Sequence, residues 1–335
     1  FDKVQRMRKL GGMISDELLI SKEKVELSAS ICKTDLTSDL VGEFPELQGV
    51  LGGYFAQVQG FEKEVCQSIS EHYLPIGFDS RVPKNPYSVT LSISDKLDTL
   101  VGFFGIDLTP TGSRDPYALR RFTISLVRLI IENKIRIKLR SIINYSLTLY
   151  KEQGYEFDIT KVLKELNNFI LERLKNYSKE KNIRLDIIES SILSNDIDEL
   201  YNGFKKAEVL DRNIKKEIGK DVVEIYKRAF NILNNEINKN KFELSNSVDT
   251  GLFKNEFENN LYKKIQEIKK YFLNVDKNDN FEDSLKELFK FKQDVNSFFD
   301  NVKVNDENEL IKKNRLELLN LLCKSFDNFF NFSKI

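Results

Sequence analysis

The sequence predicts an all-α protein. Three observations carry that expectation. Apolar residues recur at helical spacing along most of the chain, no segment alternates as a half-buried strand would, and only six prolines and fifteen glycines interrupt 335 residues. A hydrophobic content of 41% beside 31% charged residues fits a folded chain with an ample core and argues against disorder. The length has room for about two domains. All six prolines lie before Tyr117, whereas Lys, Asn, Glu and Phe dominate after Gly154. We therefore expect a helical domain over 1–150, a helical connector over 151–205 and a second helical domain over 206–335.

Each element follows from local pattern. Leu10, Met13, Ile14, Leu18 and Leu19 repeat at helical spacing, and a second helix fits Lys22 to Leu40. Gly42 and Pro45 break that pattern, so the stretch through Tyr54 reads as a loop feeding a helix from about Phe55 to His72. Pro83 and Pro86 bracket an irregular connection before the apolar helix Ser88 to Phe104. Thr109 to Asp115 is turn chemistry, and Asp115 before Pro116 makes a helix start for Tyr117 to Asn133. Leu119, Phe122, Leu126 and Leu129 form its apolar stripe, opposite Arg121, Ser125, Arg128 and Glu132. Farther on, Leu163, Leu166, Ile170 and Leu174 mark one amphipathic helix, and Val222, Ile225, Ala229 and Ile232 another. Leu261 to Phe272, Phe281 to Phe299 and Glu307 to Phe330 complete a helix bundle, with loops expected at Gly203, Asn234 to Asn246 and Asn274 to Asn280.

Composition also narrows function. Net charge is zero, with 52 acidic and 52 basic residues, so any nucleic-acid contact must come from local patches. No stretch approaches about eighteen consecutive apolar residues, and the N-terminus lacks the pattern of a signal peptide. Cys32, Cys66 and Cys323 are odd in number and far apart, which fits reduced thiols in a cytoplasmic protein better than a disulfide framework or a zinc cluster. The chain opens on Phe1 and reads as part of something longer.

Catalytic equipment is scarce. The run Ala29 to Asp35, ASICKTD, invites comparison with HD domains. Those place a His–Asp pair after an apolar helix and complete a metal site with an upstream His and a downstream Asp. Asp35 and Asp95 stand in suggestive places, but Lys33 sits where a metal ligand should be, and the chain owns one histidine. The metal site is expected to be degenerate, with no metal held and no catalytic residue. That histidine, His72, ends a helix before Pro75 and is expected to cap carbonyls or face solvent. Gly49, Gly52 and Gly53, like Gly102 and Gly105, lack the flanking strand and the Gly-Lys-Ser/Thr ending of a phosphate loop, so close helix packing or turns is the expected role. Phe298, Phe299, Phe329 and Phe330 could stack on bases, but clustered Phe is more often core.

Charge patterning is more informative. Arg114, Arg120, Arg121, Arg128, Lys134, Arg136, Lys138 and Arg140 are opposed within that run only by Asp115 and Glu132. The alternatives are a phosphate-contacting face and a solvated helix face with internal ion pairs. Lys312, Lys313 and Arg315 precede the apolar series Leu316, Leu319, Leu322, Phe326 and Phe330, and could meet RNA or water.

Four segments resemble the β subunit of bacterial two-subunit glycyl-tRNA synthetase: KTDL (Lys33–Leu36), GEFPELQGVLGGYFA (Gly42–Ala56), ISDKLDTLVGFFGI (Ile93–Ile106) and PTGSRDPYALRR (Pro110–Arg121). The resemblance extends along the chain, and YKRAFNIL (Tyr226–Leu233) and NRLELL (Asn314–Leu319) are similar to the helical anticodon-binding domain shared with arginyl-tRNA synthetase. It implies a degenerate HD-like helical domain followed by a helical-bundle anticodon-binding domain, in a fragment lacking the N-terminal half of its family. It implies tRNA recognition in the cytoplasm, with glycine tRNA and the α subunit as partners, no membrane, and ATP and Mg at the α subunit. Candidate tRNA contacts are Arg114, Arg120, Arg121, Arg128, Lys227, Arg228, Lys312, Lys313 and Arg315. An HD-type phosphohydrolase and a non-catalytic assembly scaffold are the competing expectations.

Overall fold

In this computed structural model the structure describes residues 1–192, 197–240, 244–245, 247–272, 280–327 and 329–335. Helical periodicity becomes helix throughout, and among the described residues no strand forms beyond an isolated Thr111–Arg114 bridge. The helices are α1 (Asp2–Leu18), α2 (Lys22–Ile31), α3 (Asp39–Glu43), α4 (Val50–Val58), α5 (Lys63–Glu71), α6 (Pro86–Gly105), α7 (Leu119–Glu132), α8 (Leu139–Glu152) and α9 (Ile159–Glu180). They continue as α10 (Leu185–Ser191), α11 (Leu200–Asn213), α12 (Glu217–Asn240), α13 (Glu256–Phe272), α14 (Phe281–Phe289), α15 (Phe291–Asn301) and α16 (Glu309–Asp327). Two compact units emerge. The first is Phe1–Tyr177 with Asp196–Tyr201, and the second is Ser178–Asn195 with Asn202–Ile335. Residues 151–205, expected as a connector, are thus divided between the two.

The first unit is organised around α6. Asn85 caps it by accepting from Tyr87 N, and Pro86 takes the first helical position, where its missing N–H has no cost. α1, α2, α5, α7 and α8 all pack on it, which buries it on nearly every face. Small residues on it, Ser88, Thr90, Ser92 and Ser94, are all fully buried. The same crowding carries Asp95, Lys96 and Asp98 into the interior, where each needs a partner. Asp98 meets Arg6 of α1 through two bonds of 2.6 and 3.0 Å, beneath the ring of Tyr150. α4 and α5 pack so closely that a Cβ on Gly53 would stand 2.7 Å from the Cys66 carbonyl oxygen. The glycine cluster is therefore a helix-packing device.

Several boundaries depart from the sequence expectation. Lys22–Leu40 is not one helix. α2 stops at Ile31 because Thr34 and Thr37 donate their hydroxyls to Ile31 O and Thr34 O, closing a 3-10 turn before Ser38 caps α3. α4 begins inside the expected loop, and Gly60, at φ 84°, separates it from α5, so Phe55–His72 is also two helices. α7 starts at Leu119, two residues late. Ala118 adopts a left-handed N-cap, and the Asp115 carboxylate reaches forward to Leu119 N and Arg120 N at 2.8 and 2.9 Å.

In the second unit α12 packs against α14, α15 and α16, and α13 against α15 and α16. Tyr226 of α12 is buried among the rings of Phe230, Phe326 and Phe332. Phe298, Phe329 and Phe330 are buried too, in agreement with core packing. Gly203, expected in a loop, lies within α11, close against Ile192. α12 runs on through Asn240, past the expected loop start at Asn234, while 241–243 and 246 lie outside the described residues. Most of the loop expected at Asn274–Asn280 also falls outside them, and Asn280 itself caps α14. Phe281–Phe299 is broken at Lys290 into α14 and α15. No helix among the described residues is long and apolar enough to cross a membrane.

Candidate functional site

Of the residues that an HD comparison singles out, Lys33 and Asp95 converge, together with His72, and Asp35 does not. The Lys33 ammonium lies 2.9 Å from His72 Nε2 and 3.2 Å from Asp95 Oδ2, over the Tyr73 ring at 3.9 Å from its centroid. In chain order these are Lys33, the His72–Tyr73 pair and Asp95, so both the first histidine and the adjacent His–Asp pair of an HD site are lacking. Asp35 turns elsewhere: its Oδ2 accepts from Gly49 N at 2.6 Å, fixing the start of α4. His72, expected at a helix end, is there but fully buried. Its Nδ1 lies 2.6 Å from Ile69 O, so that nitrogen carries the proton and Nε2 accepts from Lys33.

A divalent ion does not fit this donor set. A metal would have to share the space between His72 and Asp95 with an ammonium held by both. Lys3 adds a second cation, 2.8 Å from Asp95 Oδ1. Among the described residues no group of three or more His, Cys, Asp or Glu side chains is placed to hold a metal ion. Burial alone would raise the Asp95 carboxyl, yet Lys3 and Lys33 together hold it well below the usual carboxylate range. Lys96, also buried, donates to Tyr73 O, Leu74 O and Ser92 Oγ at 3.2, 3.3 and 2.7 Å, and burial pushes it down to about 7.

Burial, reinforced by the Lys33 charge, pushes His72 down from its ordinary value to about 3. The unfolded chain takes up a proton near pH 6.5 that the native state refuses. The stability this group confers is therefore fully present above about pH 6.5 and is lost as pH falls toward 3, by up to ~1.4 kcal/mol per pH unit. His72→Gln should make the pH dependence of urea unfolding shallower between about pH 6 and 4 by a comparable slope. An unchanged slope would show that His72 titrates normally in the folded state.

The candidate cations separate into two groups. Arg128 is structural: 8% exposed, it binds Glu132 at 2.8 Å and the carbonyls of Gly77 and Ser80 at 2.7 Å each. Arg315, 5% exposed, is held by Glu258, Asp306 and the Lys303 carbonyl. Lys312 pairs with the buried Glu236 at 2.8 Å. Expecting these three on an RNA-facing surface is therefore corrected; buried carboxylates and carbonyls need them. Arg120 braces the preceding turn through Gly112 O. Arg114 and Arg121 are exposed and form no ion pair among the described residues. Arg121 borders a cavity of about 280 Å³ with Pro45, Gln48, Tyr73, Pro75 and Phe122.

In the second unit Lys227 and Arg228 are exposed on α12 and line an open groove of about 540 Å³. Lys220 and Arg184 line it too, with Val223 and Ile214 as apolar floor and Glu224 as its acid. Arg228 rests on the Phe299 ring, 4.4 Å from its centroid, and approaches Asp300 only to 3.9 Å. Lys220 and Arg184 were missed in the sequence. Lys220 shares one helix face with Val223, Glu224 and Lys227, a spacing that the periodicity could have revealed. Arg184 comes from α10's N-cap and left no local signal.

Comparison with known proteins decides the lineage. The family model described as glycyl-tRNA synthetase beta subunit matches residues 1–193, and the DALR anticodon binding domain matches residues 222–335. The chain belongs to the glycyl-tRNA synthetase beta subunit family. It is 35% identical over 318 residues to the glycine–tRNA ligase beta subunit of Rickettsia typhi, covering 94% of this chain and 45% of that protein. It is 35% identical over 337 residues to that of Clostridioides difficile, covering 100% and 48%. The match to the Syntrophomonas wolfei protein is 33% identical over 339 residues. The chain spans about half the length of these curated relatives. The groove of Lys220, Lys227 and Arg228 borders or falls within the segment matched as anticodon-binding.

Proposed function

We propose that the chain is the tRNA-recognition portion of a glycine–tRNA ligase in the cytoplasm. It docks glycine tRNA beside an α subunit that binds ATP and Mg and attaches the glycine. The observation that carries this reading is the groove on α12, where Lys220, Lys227, Arg228 and Arg184 converge within a chain of zero net charge. Exposed cations around an open, partly apolar floor suit a phosphate backbone with bases turned inward. Lys33 between His72 and Asp95 supports the complementary half, a first unit that keeps HD-like packing without hydrolytic chemistry.

Chemistry on one subunit and docking on another can be separated kinetically. Replacing Lys220, Lys227 and Arg228 together by Gln in the assembled ligase should raise KM for tRNA and flatten the salt dependence of binding by about 2 to 3 in log–log slope. Glycine-dependent ATP–pyrophosphate exchange, which needs no tRNA, should stay at the wild-type rate. Loss of exchange with unchanged tRNA affinity would sink the assignment. Tight α-subunit binding with no tRNA binding by the wild type would instead favour a scaffold.

A further inference from the structure

The connection between α7 and α8 is built unlike an ordinary loop. After Lys134, left-handed at φ 57°, residues 135–138 form no regular element, Leu139 N donates to Ile137 O at 3.1 Å around Lys138, and Arg140 lies in the first turn of α8. Ile135, Ile137 and Leu139 point inward at 6%, 5% and 0% exposure. Lys134, Arg136, Lys138 and Arg140 alternate with them on the solvent side, and all four are exposed. Exposure thus alternates residue by residue across a connection that is not a strand. Other bonds fix it: Ile135 N donates to Ile130 O at 2.8 Å, Lys138 N to the Glu17 carboxylate at 3.3 Å and Arg140 N to the Asp198 carboxylate at 2.6 Å. The segment is thus a rigid ridge with cations along its crest.

These four remain once the rest of the basic run is accounted for. Arg128 is paired, Arg120 braces a turn, and Arg114 and Arg121 lie toward the opposite end of α7. On the ridge, Arg136 lies over the Tyr201 ring at 5.4 Å from its centroid, and Arg140 also has partners. The ammonium groups of Lys134 and Lys138 form no ion pair among the described residues. The nearest carboxylates anchored to the ridge, Glu17 and Asp198, bind its backbone amides.

Charge selects the ligand class: four exposed cations on one short connection suit an anionic polymer. Lysine is a flexible point charge, suited to phosphate and poor at reading base edges.

We infer that Lys134, Arg136, Lys138 and Arg140 form a ridge that follows the sugar–phosphate backbone of one RNA strand. The ridge sets the position of the RNA and carries no sequence preference. This inference rests on the tRNA-recognition reading and names a contact line in the first unit, apart from the groove on α12.

The test uses the assembled ligase, fluorescent glycine tRNA and a non-cognate tRNA, titrated across about 50 to 200 mM salt. Lys134→Gln with Lys138→Gln should weaken both tRNAs by the same factor and reduce the salt slope by about 1.4 to 1.8. Thermal unfolding should not move, since among the described residues neither side chain has an ion pair to lose. Wild-type slope and affinity in this variant, while the Lys227→Gln/Arg228→Gln variant weakens, would overturn the ridge and leave the tRNA reading standing. Selective loss of glycine tRNA alone would also overturn it, because a backbone contact cannot discriminate. Failure of the wild type to bind either tRNA would remove both.

Discussion

Arg315→Leu is expected to destabilise the second unit by about 3–5 kcal/mol, the range for stranding one partner of a buried ion pair. Glu258 is fully buried, and Arg315 Nε reaches its Oε1 at 2.7 Å. The other Glu258 oxygen accepts from Lys254 N and Asn255 N at 2.6 and 3.1 Å, holding the chain as it enters α13. A second guanidinium nitrogen ties Lys303 O and Asp306 to α16 at 2.9 and 2.7 Å. Removing the arginine leaves a carboxylate in the interior with no cation. Replacing Glu258 by Gln as well should recover a large part of the loss, because the stranded charge is then gone. Urea unfolding of the single and double variants reads both effects. A single-variant loss below about 1 kcal/mol would mean that Arg315 is solvated and free to meet RNA.

Lys33→Met is the second large effect, about 3 kcal/mol by the same argument. Asp95 keeps Lys3 at 2.8 Å, which places the cost toward the low end of that range. The variant carries a signature that simple loss of packing would not produce. With the neighbouring ammonium gone, the His72 imidazole should titrate at higher pH than in the wild type, measurable by NMR. Burial still depresses it, so its ordinary value is not regained. An unshifted His72 titration would mean that Lys33 does not sit against Nε2.

Much of the fold was legible because helical periodicity records burial directly. Leu119, Leu126 and Leu129 of α7 are indeed fully buried, and so is the Leu316–Phe326 series of α16. Boundaries were less legible where side chains rather than apolar spacing decide them. Thr34 and Thr37 close a 3-10 turn with their hydroxyls, and Asp115 caps α7 across three intervening residues. Charges were the least legible. Arg128 and Arg121 share one polar stripe in the sequence. Only tertiary structure brings Gly77 and Ser80 carbonyls to the first and leaves the second bare. His72 bonds the Ile69 carbonyl at its helix end, one of the two roles expected, but its burial against Lys33, 39 positions away, left no local signal. The alternation that builds the Lys134–Arg140 ridge was present in the sequence but short enough to be read as part of a basic helix.

On the reading proposed above, this chain binds tRNA through phosphate-contacting cations. The most direct measurement is the dissociation constant of the assembled ligase for glycine tRNA at about 50 and 200 mM salt. Five cations in contact with phosphate, three from the groove and two from the ridge, should weaken binding by at least about a hundredfold across that interval. An affinity that changes less than about twofold, or no binding at the lower salt, would contradict it.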